Sequence, residues 1–157
     1  MINSVCALEN RKAGNWGGVY SKINKFEFFD GIECYLNRLV LNNIPFCIVT
    51  SSPRSYCENV IASFGIKAKF LVCYHDTKMH KPHPEPILLA KNRLINEYGC
   101  NSIISVGDTK DDIVASKRAN VVSVAALWGS EDRDSLRESK ADLIFETVLE
   151  MDEMELM

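Results

Sequence analysis

Short apolar runs alternate with amphipathic stretches along most of the chain. The runs are rich in β-branched residues, and continuous apolar runs of this kind are typical of strands buried on both faces of a parallel sheet. Pro45 lies at the start of the first run, where a strand tolerates proline. The predicted strands are Ile44–Thr50, Phe70–Cys73, Ile103–Val106, Val121–Ala125 and Leu143–Phe145.

The amphipathic stretches predict helices. One is expected to begin at Ser52 and Pro53 and to end at Gly65, another to run from about Pro84 to Gly99, and a further one to cover about Asp111 to Ala119. An earlier helix is predicted from apolar residues near Tyr35. The positions expected to face inward are Ile32, Tyr35, Leu36, Leu39, Val40, Tyr56, Val60, Ile61, Phe64, Leu88, Leu94, Ile95 and Tyr98.

Strands that alternate with helices imply right-handed crossovers and a parallel sheet. We therefore predict an α/β fold, a three-layer α/β/α Rossmann-like domain with a parallel sheet of about five strands. The stretch 10–29 is too short for a large cap domain, so none is expected. The acidic tail, residues 146–157, is expected to fray.

Composition restricts the classes of partner. The chain has 157 residues, of which 46% are hydrophobic and 25% charged, and its net charge is −3. One domain suits this length. No nucleic-acid partner is expected without clustered Lys and Arg, and no membrane partner without an apolar run of roughly 20 residues. The N-terminus lacks the basic start and long apolar core of a signal peptide.

The six cysteines contain no Cys-x-x-Cys pair, and several lie in apolar runs. Reduced thiols within the core are the main interpretation, and they indicate a cytoplasmic protein. Cys73 lies near His75, His80 and His83 in the sequence, which keeps a metal site open as a minor alternative. Their spacing matches no zinc pattern.

Polar residues follow three of the predicted strands. Ligands of an open parallel sheet bind beyond the carboxyl ends of its strands. Thr50 and Ser51 follow the first strand with hydroxyls and backbone N–H groups suited to phosphate. Lys81 lies in a proline-stiffened loop after the second strand.

Two acidic residues follow the third strand. Asp108 comes directly after Gly107, and Asp112 lies one helical turn further on, so the pair could hold Mg²⁺ directly or through water. Taken singly, such residues are more often a helix cap, a solvated lysine or carboxylates that offset a helix dipole. Their order along the chain and their shared edge favour a phosphate and metal site.

With these motifs the sequence resembles the haloacid dehalogenase superfamily. The likeness extends from about Asp30 to Leu143 and is strongest in three motifs that occur in the family's order. The similar segments are Asp30-Gly31-Ile32, Ile48-Val49-Thr50-Ser51, Lys81-Pro82-His83-Pro84, Val106-Gly107-Asp108 with Asp112, Trp128-Gly129 and Ala141-Asp142.

The resemblance implies specific roles for these residues. Thr50 and Lys81 correspond to the family's phosphate-binding hydroxyl and lysine, and Ser51 would assist them. Asp108 corresponds to a ligand of the Mg²⁺ cofactor, and Asp112 would support it. The implied ligand is a phosphorylated small molecule.

The family's first motif, Asp-x-Asp, does not occur ahead of Thr50. Its first Asp attacks phosphorus and its second handles the leaving-group proton. Phe28-Phe29-Asp30-Gly31 resembles the end of this motif superficially, but Asp30 leads directly into the helix before Thr50 and leaves no room for the family's flap. We therefore interpret residues 1–29 as a degenerate or truncated N-terminal part and residues 30–145 as the recognisable core of a single domain, 1–157.

In the family, the first strand lies between the strands that end at Thr50 and Asp108. Ser4–Leu8 is the best local candidate for that strand, since an unfilled centre would expose two strand edges. Glu9 would then lie near the nucleophile position and Arg11 near the acid/base position, to which neither is well suited. A missing central strand would also favour a homo-oligomer.

Three functions fit these observations. The first is a Mg²⁺-dependent phosphomonoester phosphatase, weak or inactive as this chain alone. The second is a non-catalytic relative, a pseudoenzyme that binds a ligand or a protein partner. The third is a phosphorylation-receiver domain, which the motif order disfavours because receivers have their acids before the Thr and the Lys.

Overall fold

The computed structural model describes residues 27–153, in which five short strands alternate with helices. The strands are β1 Ile48–Val49, β2 Leu71–Val72, β3 Ile104–Gly107, β4 Val122–Ala126 and β5 Leu143–Phe145. The helices are α1 Ile32–Leu41, α2 Arg54–Phe64, α3 Glu85–Tyr98, α4 Lys110–Arg118, α5 Arg133–Arg137 and α6 Val148–Glu153. Two 3₁₀ turns, Tyr74–Asp76 and Leu127–Gly129, follow β2 and β4.

All strand pairs among the described residues are parallel, as the sequence pattern predicted. β1 pairs with β2, with Ile48 opposite Leu71. β3, β4 and β5 form a second sheet in that order. The described strands therefore form two sheets, where the sequence predicted one sheet of about five strands. Ser4–Leu8, the segment predicted to fill the centre, lies outside the described residues.

Helices cover both faces of the β3–β4–β5 sheet. Neighbouring β4 residues point to opposite faces: Val124 packs with Tyr35 of α1 and Met151 of α6, whereas Ala125 packs with Ile113 of α4. All four are buried. This alternation gives the three-layer α/β/α order that was predicted.

The two sheets share helical packing. Val49 of β1 and Ile103 next to β3 both lie against Ile87 of α3 and Ala115 of α4. Shared contacts of this kind hold the end of β1 and the beginning of β3 beside the same helices.

The buried face of α3 agrees with the prediction at Leu94 and differs from it at the other predicted positions. Ile87, Ala90 and Leu94 are buried, whereas Leu88 and Ile95 are 37% and 42% exposed. Tyr98 is also exposed at the end of the helix. The buried positions follow i, i+3, i+7 spacing, one residue out of step with the predicted face, because α3 rests on both sheets at once.

Two more predictions require correction, one about an inward-facing residue of α1 and one about the N-cap of α2. Val40 of α1 is 41% exposed, whereas Tyr35 and Leu39 form the buried face. In α2 the buried residue is Cys57, and Pro53 occupies the N-cap position in place of Ser52, with no side-chain cap. The helix ends at Gly65 as predicted.

The acidic tail contains a packed helix, contrary to the prediction that it frays. Val148 and Met151 of α6 are 2% and 1% exposed and pack with Tyr35 and Leu39. Burial of these two apolar side chains anchors the segment despite its acidic neighbours. Among residues 27–153, no helix combines the length and apolar character needed to cross a membrane.

Candidate functional site

A largely buried ion pair joins two of the predicted site residues. Lys81 lies in the loop between β2 and α3, and Asp112 lies in the first turn of α4. Lys81 Nζ is 2.5 Å from Asp112 Oδ1, and the two side chains are 15% and 11% exposed. The lysine is therefore directed at the acidic residues that follow β3.

Thr109 fixes the position of the Asp112 carboxylate. The Thr109 N–H and hydroxyl donate to Asp112 Oδ2 over 3.1 and 2.7 Å, and the Asp112 N–H donates to Thr109 Oγ1 over 3.3 Å. These reciprocal bonds form a capping box at the start of α4. Burial alone would raise the pKa of Asp112, but the charge of Lys81 and the hydrogen bonds from Lys81 and Thr109 outweigh it and lower that pKa.

Asp108 is a second carboxylate near Lys81, and the lysine already pairs with Asp112. Burial raises the pKa of Asp108, and the nearby negative charge of Asp112 raises it further. Its own backbone N–H and the charge of Lys81 act in the opposite direction. Two carboxylates thus share one lysine within a desolvated region, which leaves an excess of negative charge.

Two glycines allow these carboxylates to pack closely against the backbone. A Cβ at Gly107 would lie 2.3 Å from Asp112 Cβ, a distance that real Cβ atoms do not tolerate. A Cβ at Gly129 would lie 3.1 Å from both Cβ and Oδ2 of Asp108. The backbone of the 3₁₀ turn after β4 therefore packs directly against the Asp108 side chain.

This arrangement fits a hard cation such as Mg²⁺. Carboxylate oxygens are the ligands that Mg²⁺ prefers, and a cation beside Asp108 would offset the burial and the repulsion from Asp112 that together raise its pKa. Asp108 is the better candidate for direct ligation, because Lys81 and Thr109 already occupy the oxygens of Asp112. Across residues 27–153 no three His, Cys, Asp or Glu side chains are grouped so that they could hold a metal.

Thr50 follows β1 and is tied to the neighbouring strand. The Thr50 N–H donates to the Val72 carbonyl over 2.9 Å, and Thr50 Oγ1 accepts from the Ser52 N–H over 3.1 Å. Ser51 is exposed in the same loop. The Ser52 carbonyl in turn accepts from the Tyr74 N–H over 3.1 Å. These bonds hold the loop after β1 against the loop that leads to Lys81.

The structure thus brings together Lys81, Asp108 and Asp112. Thr50 and Ser51 follow a strand of the other sheet, and their joint action with those three residues on one phosphate stays a prediction. Phe28 lies elsewhere, since its ring packs at a tilt against Phe64 at the end of α2 with 4.1 Å between ring centroids. Glu9 and Arg11 lie outside the described residues.

The sequence analysis gave no role at the site to Thr109, and it named Gly129 only as part of the Trp128-Gly129 segment that resembles the family. Thr109 could have been found, because Thr109-Lys110-Asp111-Asp112 matches the Ser/Thr-x-x-acid signature of a capping box. Gly129 gives no such signal for its contact with Asp108. That contact exists only because β4 lies next to β3 in the sheet.

The described cysteines are free, as the sequence predicted. Cys57 and Cys73 are buried, whereas Cys34 is exposed. Burial raises the pKa of Cys57 to about 12 and that of Cys47 to about 11, so these thiols stay protonated at neutral pH. Cys6 lies outside the described residues.

Comparisons with known proteins identify the lineage. The family model described as haloacid dehalogenase-like hydrolase matches residues 10–126. A phosphoglycolate phosphatase from Xanthomonas campestris pv. campestris is 33% identical over 105 residues, which cover 66% of this chain and 47% of that protein. The pyrophosphatase PpaX of Oceanobacillus iheyensis is 32% identical over 124 residues, which cover 76% of this chain and 54% of that protein. This chain thus spans about half the length of these relatives.

Solved structures show the same fold. A predicted phosphoglycolate phosphatase from Haemophilus somnus superposes with a TM-score of 0.74 at 23% identity, over 88% of this chain and 64% of that one. A hydrolase from Pseudomonas syringae gives a TM-score of 0.74 at 21% identity, over 91% and 66%. Family model, related phosphatases and fold agree with the motifs at the strand ends: the chain belongs to the haloacid dehalogenase-like hydrolase family.

Proposed function

We propose that this chain binds a phosphorylated small molecule together with Mg²⁺ at the carboxyl edge of its strands. The observation that carries the proposal is the Lys81–Asp112 ion pair beside the buried Asp108. In this arrangement Lys81 supplies a positive charge that can bind phosphate oxygens, and Asp108 supplies a carboxylate that can bind a metal ion. The related proteins named phosphoglycolate phosphatase and pyrophosphatase support a small molecule that carries phosphate as the ligand class.

Each residue has a distinct part in this proposal. Lys81 and the Thr50 hydroxyl bind phosphate oxygens, and Ser51 adds a hydroxyl at the same loop. Asp108 ligates Mg²⁺, and Asp112 supports the site by holding Lys81 in place. Bound Mg²⁺ would neutralise phosphate charge, which is the main electrostatic need of phosphoryl transfer.

We infer that turnover by this chain alone is weak or absent. No Asp-x-Asp precedes Thr50, and with Ser4–Leu8 as the first strand, as we predict, Glu9 and Arg11 would take the two positions of that motif. A Glu carboxylate in place of Asp is misplaced by about an ångström, which costs on the order of a hundredfold in rate. Arg stays protonated near neutral pH and cannot exchange the leaving-group proton.

The same absence favours a second candidate function, a non-catalytic pseudoenzyme. In that case the phosphate and metal site would serve binding or regulation. The two candidates share the ligand site and differ only in chemistry, so a turnover assay separates them.

Calorimetry tests the binding site. Titration of the chain with inorganic phosphate in excess Mg²⁺ should give measurable affinity, which Lys81→Met and Asp108→Ala each remove. Lys67→Met is the matched control, since Lys67 is exposed in the loop before β2, at the other end of that strand. Unchanged phosphate affinity in the Lys81 variant would show that the ligand binds elsewhere.

An assay with an aryl phosphate and excess Mg²⁺ tests turnover. We expect little activity from the unmodified chain. Activity that appears only with Glu9→Asp and Arg11→Asp together would support Ser4–Leu8 as the displaced first strand. Robust activity of the unmodified chain, abolished by Asp108→Ala, would contradict the inference of weak turnover and favour an intact phosphatase.

A cytoplasmic location and a homo-oligomeric state belong to the same proposal. The free, protonated thiols support a reducing compartment. Fractionation of cells would test the location, and light scattering on the purified chain would test its association.

A further inference from the structure

Two aromatic rings stack in the loop that carries Lys81. Tyr74 begins the 3₁₀ turn after β2, and His80 directly precedes Lys81. Their ring centroids lie 4.0 Å apart and their planes differ by 22°, a stacked geometry. Tyr74 nevertheless stays 41% exposed. An aromatic surface that could contact a ligand therefore lies at the carboxyl edge of β2.

The backbone connects the stack to both proposed phosphate-binding elements. On one side, the Tyr74 N–H donates to the Ser52 carbonyl over 3.1 Å, two residues from Thr50. On the other side, His80 is the chain neighbour of Lys81, whose Nζ contacts Asp112. The residues of the stack are therefore close in the chain or in the backbone hydrogen bonding to both elements that would hold the phosphate.

Hydrogen bonds fix the loop at its beginning. The Asp76 carboxylate accepts from the Cys73 N–H over 2.7 Å and pairs with Arg54 over 2.5 Å. Tyr74 lies between Cys73 and Asp76, so its backbone is held where the strand ends.

The end of the loop is fixed as well. Glu85 accepts from the backbone N–H groups of Lys78 and Met79 over 3.1 and 2.9 Å. The His83 N–H donates to the His80 carbonyl over 2.8 Å. A loop anchored at both ends presents its rings in one arrangement, which lowers the entropic cost of binding.

We propose that the Tyr74–His80 stack selects phosphate esters that carry a planar aromatic ring. This inference rests on the proposed phosphate site, and it adds the chemical class of the leaving group. A planar ring of the ligand can stack on an aromatic side chain whichever substituents the ring carries. A small aliphatic group has no flat aromatic face and cannot stack in this way. The ring could belong to an aryl ester or, one sugar further away, to a nucleoside monophosphate.

Calorimetry with three esters tests the selection and distinguishes its sources. The probes are methyl phosphate, phenyl phosphate and adenosine 5′-monophosphate, each titrated into the intact chain in excess Mg²⁺. We expect phenyl phosphate or adenosine monophosphate to bind about tenfold more tightly than methyl phosphate, within the range that one stacked ring supplies. Tighter binding of phenyl phosphate would mean that the ring is attached directly to the phosphate. Tighter binding of adenosine monophosphate would mean that a sugar separates the ring from the phosphate.

Variants connect the preference to the stack. Tyr74→Leu and His80→Leu should each bring the three affinities to within about twofold while methyl phosphate binding is retained. The matched control is Tyr98→Leu. Tyr98 is 37% exposed and stacks on Phe70 just before β2, at the opposite end of that strand. Circular dichroism verifies the fold of each variant, and the His80 variant provides the test if the Tyr74 variant does not fold.

The outcomes separate this inference from the proposed function. Measurable methyl phosphate binding with no preference for either ring-bearing ester would overturn the stacking proposal and leave the phosphate site intact. A preference that survives both Tyr74→Leu and His80→Leu would also overturn it. If none of the three esters binds, the proposed function fails and the inference fails with it.

Discussion

Lys81 and Asp112 are 31 positions apart in the sequence, and their side chains form a 2.5 Å ion pair that is largely shielded from solvent. The pair connects the loop after β2 to the helix after β3. It thereby joins the part of the chain proposed to hold phosphate to the part proposed to hold the metal.

Removal of the Asp112 charge should destabilise the protein. Asp112→Asn leaves Lys81 without its partner, and loss of one member of a buried pair is strongly destabilising. Asp108 offsets part of the loss because it also attracts Lys81, so we expect the free energy of unfolding to fall by about 2 kcal/mol. Urea denaturation at neutral pH measures it.

Glu97→Gln is the control for that change. Glu97 pairs with Arg93 on the exposed face of α3, and its side chain is 46% exposed. An exposed pair of this kind contributes less than about 1 kcal/mol. Equal effects of the two substitutions would contradict a structural role for the Lys81–Asp112 pair.

Asp142 should make stability depend on acidic pH. Its carboxylate accepts from the hydroxyl and N–H of Ser123, and these bonds, assisted by Lys117, lower its pKa. A lowered folded-state pKa contributes stability above the unfolded value of about 3.9, and that stability is lost as pH falls through the folded-state pKa. Asp142→Asn should therefore destabilise the protein at pH 7 and have progressively less effect towards pH 3.

Denaturation at several pH values measures this difference. Asp134→Asn is the control, because the Asp134 side chain is 94% exposed. An Asp142 variant whose deficit stays constant between pH 7 and pH 3 would show that its charge does not matter.

Gly129→Ala should weaken Mg²⁺ binding without loss of the fold. The new Cβ would lie 3.1 Å from Asp108 Oδ2 and would displace that carboxylate by a few tenths of an ångström. Displacement of a metal ligand by its supporting shell typically costs on the order of tenfold in affinity. Calorimetric titration with Mg²⁺ measures the change, and Ser130→Ala, one residue further on, is the control. The same affinity in both variants would place the metal away from Asp108.

Met151→Ala should show that α6 is part of the core. Met151 is 1% exposed, and truncation of a buried Met costs about 3 kcal/mol. Leu149 of the same helix is 63% exposed, so Leu149→Ala should cost less than about 1 kcal/mol. Thermal unfolding of the two variants compares them. Similar melting temperatures would mean that the segment frays, as its acidic composition first indicated.

Local patterns account for what could be predicted from the sequence. The β-branched runs gave the parallel strands, and Gly65 and Gly99 marked the ends of α2 and α3, because strand burial and helix termination depend on neighbouring residues. The candidate residues Lys81 and Asp108 followed from the rule that ligands bind beyond strand ends. Their order along the chain was enough to indicate the family.

Tertiary packing decided the rest. Ile87 rather than Leu88 is buried because α3 rests on two sheets, and α6 is anchored because Tyr35 and Leu39 of α1 offer an apolar surface far away in the sequence. The contact of Gly129 with Asp108 likewise depends on which strands are neighbours. Periodicity reports which residues share a face of an element, but only the partner that packs against this face determines how much of it is buried and which polar groups meet there.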